Sequence, residues 1–347
     1  MKRVLYIDSS CFFGGAQASL LSLRRTRTQC ECQYCIAGCS GLEPDCLIGT
    51  HHYKPGLVGM ASLLRDARAA RPVFRRALDS FAPDVVFLNT LRSALLWRAA
   101  GVKTGAELVI NDRDVRCPRI LPRLLDFWLH PNVQAVSRSV AEKWAFLKNG
   151  RLSVAPNVFD IDAIASARPA ELPFMSTEFK IVMAGDFTAW KNHGLLLEAM
   201  AVIREKCPEA RCLLKGRVHT ADDRRCLEQL KKKAADLHLE DLVFFNDADE
   251  SALPYIAACD CLVSCSMHEP FGRTVVEALA LGKVVATARY GADADLVADC
   301  PAISIADYNP ASLADAILQW RSQKARRSAR PAALARARKY EAKNAMR

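Results

Sequence analysis

No stretch of the 347 residues reaches the roughly 18 uninterrupted apolar positions that a membrane-spanning helix requires. The first apolar run, Val4–Ile7 between Lys2-Arg3 and Asp8, is far too short for a signal-peptide core. It has the length of a buried strand, and a cytoplasmic protein is expected. Aromatic residues make up only 7%, and they do not interleave with basic ones as a single-strand nucleic-acid platform demands, so nucleic acid is not expected as a partner. Zinc-site spacing is missing as well. Cys30, Cys32, Cys35, Cys39 and Cys46 include a C-x-C-x-x-C run that no paired C-x-x-C follows. His51, His52 and His268 lack partners at ligand spacing. The fourteen cysteines therefore read as reduced core thiols, since free Cys behaves as a small buried hydrophobe; a metal or iron–sulfur role for the cluster is the alternative. No secretion signal is seen, so disulfides are not expected.

What is present is ordinary globular composition, 51% hydrophobic and 25% charged, which excludes disordered and fibrous classes. The length suits two domains of about 150–170 residues each. The net charge of +10 is uneven. Residues 1–170 carry +9, residues 171–320 carry −8, and residues 321–347 carry +9. Basic parts flanking an acidic one point to an anionic partner, and a phosphorylated or lipid-linked acceptor at a membrane surface fits best.

Short apolar runs alternate with helical patterns along the first half: strands at Val4–Ile7, Cys32–Ala37, Val85–Leu88, Leu108–Ile110 and Val133–Val136, helices at Ala61–Phe81 and Leu91–Ala100. Segment 40–60 has no periodicity and reads as a loop. Two prolines between Ala167 and Lys180 mark a linker, after which the alternation restarts with strands at Ile181–Ala184, Arg211–Leu214, Leu242–Phe245, Cys261–Ser264 and Val284–Thr287. Strands alternating with helices predict two tandem α/β domains with parallel, doubly wound sheets, residues 1–170 and 171–325. The Ala- and Arg-rich tail, 326–347, reads as an exposed helix.

The run from Ser266 to Gly282 carries the chemistry. A strand ends near Val263, Pro270 and Gly272 force a turn, and a helix starts near Arg273 and stops at Gly282. A helix N-terminus beside a glycine is an anion site, because free N–H groups and the helix dipole both face the ligand. Glu277 lies one turn into that helix, placed to accept hydrogen bonds from ribose hydroxyls, and Glu269 lies on the loop at the strand's C-terminal end, where open α/β sheets bind ligands. An amphipathic core helix with incidental acids is the competing reading.

Glu269 and Glu277 with seven residues between them, Phe271-Gly272, and Glu277-Ala278-Leu279-Ala280-x-Gly282 resemble the E-x7-E region of family-4 retaining glycosyltransferases of GT-B architecture. Gly14-Gly15-Ala16-Gln17 resembles that family's Gly-Gly loop, Val136-Ser137 and Val154-Ala-Pro156-Asn157 two further stretches, and Gly185 followed by Trp190-Lys191-Asn192 its phosphate-binding loop. Gly291, Asp293 and Asp295 stand where the family has G-G-x-P-E.

The resemblance implies a nucleoside-diphosphate sugar as donor, bound by the C-terminal domain, with the acceptor on the N-terminal one and the reaction between them. Glu277 would bind the ribose and Glu269 the sugar or its developing charge. Lys191 and the Gly272–Thr274 backbone would hold the diphosphate, with Ser266, Phe271 and Arg273 beside them, and Gly14-Gly15 would close over it. No cofactor and no metal at the diphosphate are expected. Three positions depart from the pattern. Asp186 stands where the family has Arg, leaving Arg217 or Arg273 as the substitute cation; Val158 follows Asn157 in place of Gly; Asp295 replaces Glu. Asp112 is the candidate acceptor-side residue, or else a strand-end cap. The D-x-D pairs Asp112/Asp114, Asp247/Asp249 and Asp293/Asp295 read as solvated turns.

Arg65, Arg68, Arg71, Arg75 and Arg76 recur at steps that put them on one helix face. That face is either merely solvated or in contact with anionic lipid or a phosphorylated acceptor. Two rival functions stay open: a sugar-nucleotide epimerase of the same architecture, and a non-catalytic homologue that binds nucleotide or a partner.

Overall fold

The computed structural model describes residues 1–26, 30–37, 43–50, 57–289 and 291–341. The chain divides into two units, Met1–Phe159 and Asp160–Arg347.

The first unit runs β1 (Lys2–Asp8), α1 (Gly15–Thr26), β2 (Cys30–Ala37), β3 (Cys46–Ile48), α2 (Leu57–Phe81), β4 (Val85–Leu88), α3 (Leu91–Ala100), β5 (Glu107–Asp112), α4 (Leu121–Leu129), β6 (Asn132–Ala135), α5 (Arg138–Ala141) and β7 (Leu152–Val154). Its seven strands are all parallel, in the order β3-β2-β1-β4-β5-β6-β7. Parallel strands covered on both faces need continuous apolar runs, and the fully buried Val85–Leu88 is one. Alternation on β1 splits its side chains between two cores. Leu5 and Ile7 pack in the cluster that holds Phe74 and Trp97, whereas Val4 and Tyr6 join Leu20, Tyr34 and Phe87. On α2 the buried residues Ala67, Ala70, Phe74 and Ala77 recur at helical spacing, and Arg65, Arg68, Arg71, Arg75 and Arg76 face solvent. Thr90 caps α3 by accepting from Ser93 N, and Gly101 ends it in the left-handed region at φ 61°.

The second unit runs α6 (Ile161–Ala165), β8 (Phe179–Ala184), α7 (His193–Lys206), β9 (Ala210–Lys215), α8 (Ala221–Asp236), β10 (Val243–Asn246), α9 (Leu253–Ala258), β11 (Cys261–Ser264), α10 (Arg273–Ala280), β12 (Val284–Ala288), α11 (Ala294–Val297), β13 (Ile303–Ala306), α12 (Pro310–Leu318) and α13 (Gln323–Arg338). Six parallel strands are ordered β10-β9-β8-β11-β12-β13.

Three expectations are corrected. The stretch 40–60 is not all loop. Cys46–Ile48 extends the first sheet beside Cys35–Ala37, three residues being too short for any period to show. Residues 51–56, with His51 and His52, lie outside the described residues, as do Cys39 and 342–347. The proline-rich stretch after Ala167 does not separate the units, since α6 before it already packs on α10 and Ala170 N–H donates to Pro254 O. Nor is the tail helix simply exposed. On α13, Ala329, Ala333 and Ala337 are buried, and the helix packs on α10 and β12. Arg336 donates to the carbonyls of Asp295, Leu296 and Ala298, Arg326 pairs with Asp260, and Arg338 pairs with Asp162, so these three cations are spent inside the unit. Among the described residues no helix is long and apolar enough to cross a membrane.

Candidate active site

In the second sheet β8 connects onward to β9 on one side and β11 to β12 on the other, so the loops leaving the C-terminal ends of the neighbours β8 and β11 diverge and leave a crevice. Lys191 comes from the first loop, Ser266 and Glu269 from the second. Lys191 Nζ lies 2.6 Å from Glu269 Oε2, and Ser266 Oγ–H donates to the same oxygen at 2.9 Å. Both charged side chains are largely shielded, 18% and 14% exposed.

One backbone bond joins the two loops, and a tyrosine hydroxyl from beyond β13 braces the second. Met267 N–H donates to Trp190 O at 2.9 Å, and the Tyr308 hydroxyl donates to Ser266 O at 2.5 Å. The Lys191 ammonium also sits 4.1 Å from the centre of the Trp190 ring, an arrangement the ring's quadrupole favours. Gly185 lets the Lys191 stem cross its Cα, since a Cβ there would lie 3.3 Å from Lys191 Cδ.

α10 begins directly beyond the second loop. Gly272 adopts φ 101°, and a Cβ there would come within 2.9 Å of Ala292 Cβ. The first N–H groups of a helix have no partner within it, so this start is an anion-binding feature. Thr274 is half-buried in the first turn. Arg273 and Glu277, one turn apart, pair at 3.5 Å. Burial raises the Glu277 carboxyl above its ordinary range, partly offset by Arg273, and burial lowers the Arg273 guanidinium.

Other expected residues are placed differently. The Phe271 ring is core, edge-on to Tyr340 at 5.3 Å, and its backbone carbonyl accepts from Asp293 N. Arg217 is not a spare cation: its Nε and Nη2 donate to the two Asp186 oxygens at 3.0 and 3.4 Å, so the departure at position 186 and its substitute neutralise each other. Asp112 makes the hydrogen bonds of a strand-end cap. Its carboxylate takes Asp114 N at 2.9 Å, Trp144 Nε1 at 2.6 Å and Lys143 Nζ at 2.9 Å, and it is wholly buried. Of the other D-x-D members, Asp247 pairs with Arg224.

The Gly-Gly loop of the first unit stands at the equivalent crevice, between β1 and β4. Gly15 opens α1, and Gly14 N–H donates to Gln17 Oε1 at 2.9 Å. Gln17 Nε2 in turn donates to both oxygens of the buried Asp8, at 3.0 and 2.9 Å, and Asn89 Nδ2 reaches Asp8 at 2.5 Å. This Asp8–Gln17 support was not foreseen, although an acid ending β1 and a Gln directly after Gly-Gly-Ala were its signals. Sequence reading placed Trp190 in the phosphate-binding stretch without giving its ring a role, and missed Tyr308 and His193. His193 opens α7, is 1% exposed, and has no hydrogen-bond partner for either ring nitrogen among the described residues.

Residues 166–339 match the family model described as Glycosyl transferases group 1. A stretch of 110 residues, 30% of this chain, is 38% identical to mannosylfructose-phosphate synthase of Agrobacterium fabrum, and covers 24% of that protein. Among solved structures, Anabaena HepE in complex with UDP and glucose superposes with a TM-score of 0.77 at 18% identity, covering 99% of this chain and 97% of that one. Sucrose-phosphate synthase from Thermosynechococcus elongatus gives a TM-score of 0.81 at 16% identity, covering 99% and 96%. Both likenesses extend over the two units, and the fold is that of GT-B glycosyltransferases.

Proposed function

The chain belongs to the group 1 glycosyl transferases, and on that premise we propose that it moves a sugar from a nucleoside-diphosphate sugar to a hydroxyl acceptor, with retention of anomeric configuration, in the synthesis of a cell-surface polysaccharide or glycolipid. The observation that carries this reading is the convergence of Lys191, Ser266 and Glu269 beside the start of α10, at the switch point of the second sheet.

The diphosphate takes the Lys191 ammonium and the first N–H groups of α10, fixed positive groups where charge develops as the anomeric carbon–oxygen bond breaks. Glu269, released from Lys191, faces the sugar, and Glu277 accepts from the ribose hydroxyls. The acceptor oxygen forms the new bond to the anomeric carbon and gives up its proton, so the products are glycoside, nucleoside diphosphate and one proton. UDP is the nucleotide to test first, since it is the one bound in the HepE structure. With Lys191 and a helix start on the diphosphate, activity is expected to survive EDTA; complete loss, restored by Mg²⁺ or Mn²⁺, overturns the metal-free reading.

A phosphorylated or lipid-linked acceptor is supported by the +9 charge of residues 1–170, and the exposed arginines of α2 would meet an anionic membrane surface. Two of the similar proteins are named for making sugar phosphates. Working at the cytoplasmic face of a membrane, the protein would be held peripherally, by charge. Incubation with labelled nucleotide sugars tests the whole reading. Transfer or slow hydrolysis supports it. Neither, with every donor, leaves the non-catalytic alternative, which the Asp186–Arg217 pair favours because it removes a cation from the site.

A further inference from the structure

The first unit holds a cavity of about 790 Å³ at the end of its sheet opposite the Gly-Gly loop. Its walls are the start of β1, the second half of α2, the turn into β4 and the loop between α3 and β5, and they carry Arg3, Arg71, Arg75 and Lys103 together with Asp79 and Asp84. We propose that this cavity is a second binding site, separate from the sugar-transfer site, for a phosphate-bearing ligand whose remaining groups are hydroxyls.

Four cations converge on this concavity, and none of them makes an ion pair among the described residues. Other arginines of the chain are matched by acids: Arg151 with Asp126, Arg211 with Glu178, Arg326 with Asp260. Arg71 and Arg75 are one helical turn apart, where like charges repel. An anion between them relieves that repulsion, and guanidinium forks match phosphate oxygens two at a time. Of the two acids, Asp84 is committed, its Oδ2 accepting from Arg3 N at 2.8 Å. Asp79 has no partner among the described residues and would repel a bare phosphate, but it is an acceptor for a hydroxyl. Phosphate plus hydroxyl is the chemistry of a soluble sugar or polyol phosphate, and equally of a phosphoglycerol lipid headgroup.

The test uses the full-length chain. Calorimetry with glycerol 3-phosphate and glucose 6-phosphate probes the soluble source, and co-sedimentation with phosphatidylglycerol against phosphatidylcholine vesicles probes the headgroup. Binding in either arm supports the site and names its source. Each basic residue near an anionic surface is worth about a fivefold change in affinity, so R71E/R75E should weaken binding at least about 25-fold. R68E, on the same helix but outside the cavity, should leave it unchanged. UDP affinity should stay constant in all variants, which separates failure here from failure of the transfer reading. The proposal is overturned by no binding in either arm, by binding that survives R71E/R75E, or by an equal loss in R68E, which would mean diffuse surface charge.

Discussion

Lys191 and Glu269 satisfy each other across 2.6 Å, so the cation assigned to the diphosphate and the acid assigned to the sugar are each other's counter-ion. On the proposed reading, donor binding exchanges that partnership, the lysine turning to phosphate and the carboxylate to the sugar. Replacing Glu269 by Gln removes the competing charge. Affinity for UDP should then rise, by a few-fold to about tenfold, the scale of a partly shielded ion pair, while transfer falls at least about a hundredfold. Calorimetry paired with a transfer assay checks both halves. Weaker UDP binding in E269Q would show that the pair organises the phosphate site rather than competing with it.

Glu277→Ala is expected to cost about 1–3 kcal/mol of nucleotide affinity through lost hydrogen bonds to ribose. Arg273 loses its pairing with Glu277 while largely shielded, so thermal unfolding must be measured alongside. Unchanged nucleotide affinity in a folded variant would remove Glu277 from the site.

At Gly272 the backbone itself is the constraint. Alanine there meets Ala292 at 2.9 Å in a φ region that L-residues avoid, and should destabilise the protein by about 1–3 kcal/mol. The same substitution at Gly101, also at positive φ but with nothing within 4 Å, should cost less. Equal melting temperatures for the two variants would contradict the crowding argument.

Burial, with Lys191 nearby as a lesser cause, pushes His193 down to about 4. Its folded value thus lies below the ordinary 6.5, so the unfolded chain binds more protons between pH 6.5 and 4. Stability is present above that window and is lost as pH falls through it, by about 2–3 kcal/mol from this group. His193→Leu should flatten that part of the stability-versus-pH curve. An unchanged acid limb in denaturant titrations would assign the loss to other groups.

Much of this was legible in the sequence because its signals are local. Val85–Leu88, Leu91–Ala100 and Cys261–Ser264 were bounded as observed, each an apolar run or amphipathic stretch between polar residues. The turn at Gly272 and the helix after it followed from glycine and proline placement. What escaped depends on pairing across distance. Whether Arg217 is a ligand or a counter-ion depends on Asp186, 31 residues away. Whether Asp112 is reactive or merely capped depends on Trp144, 32 residues on. Tail arginines read as solvent-facing because a composition rich in Arg and Ala does not reveal that α11 presents carbonyls to Arg336.

The bond from Met267 N to Trp190 O joins one main chain to another and is therefore indifferent to side-chain identity. That link between the two loops does not depend on the side chains they display. Substitutions at Phe187, Thr188 or Ala189 therefore leave it in place, whereas Trp190 and Ser266 also act through their side chains, on Lys191 and on Glu269.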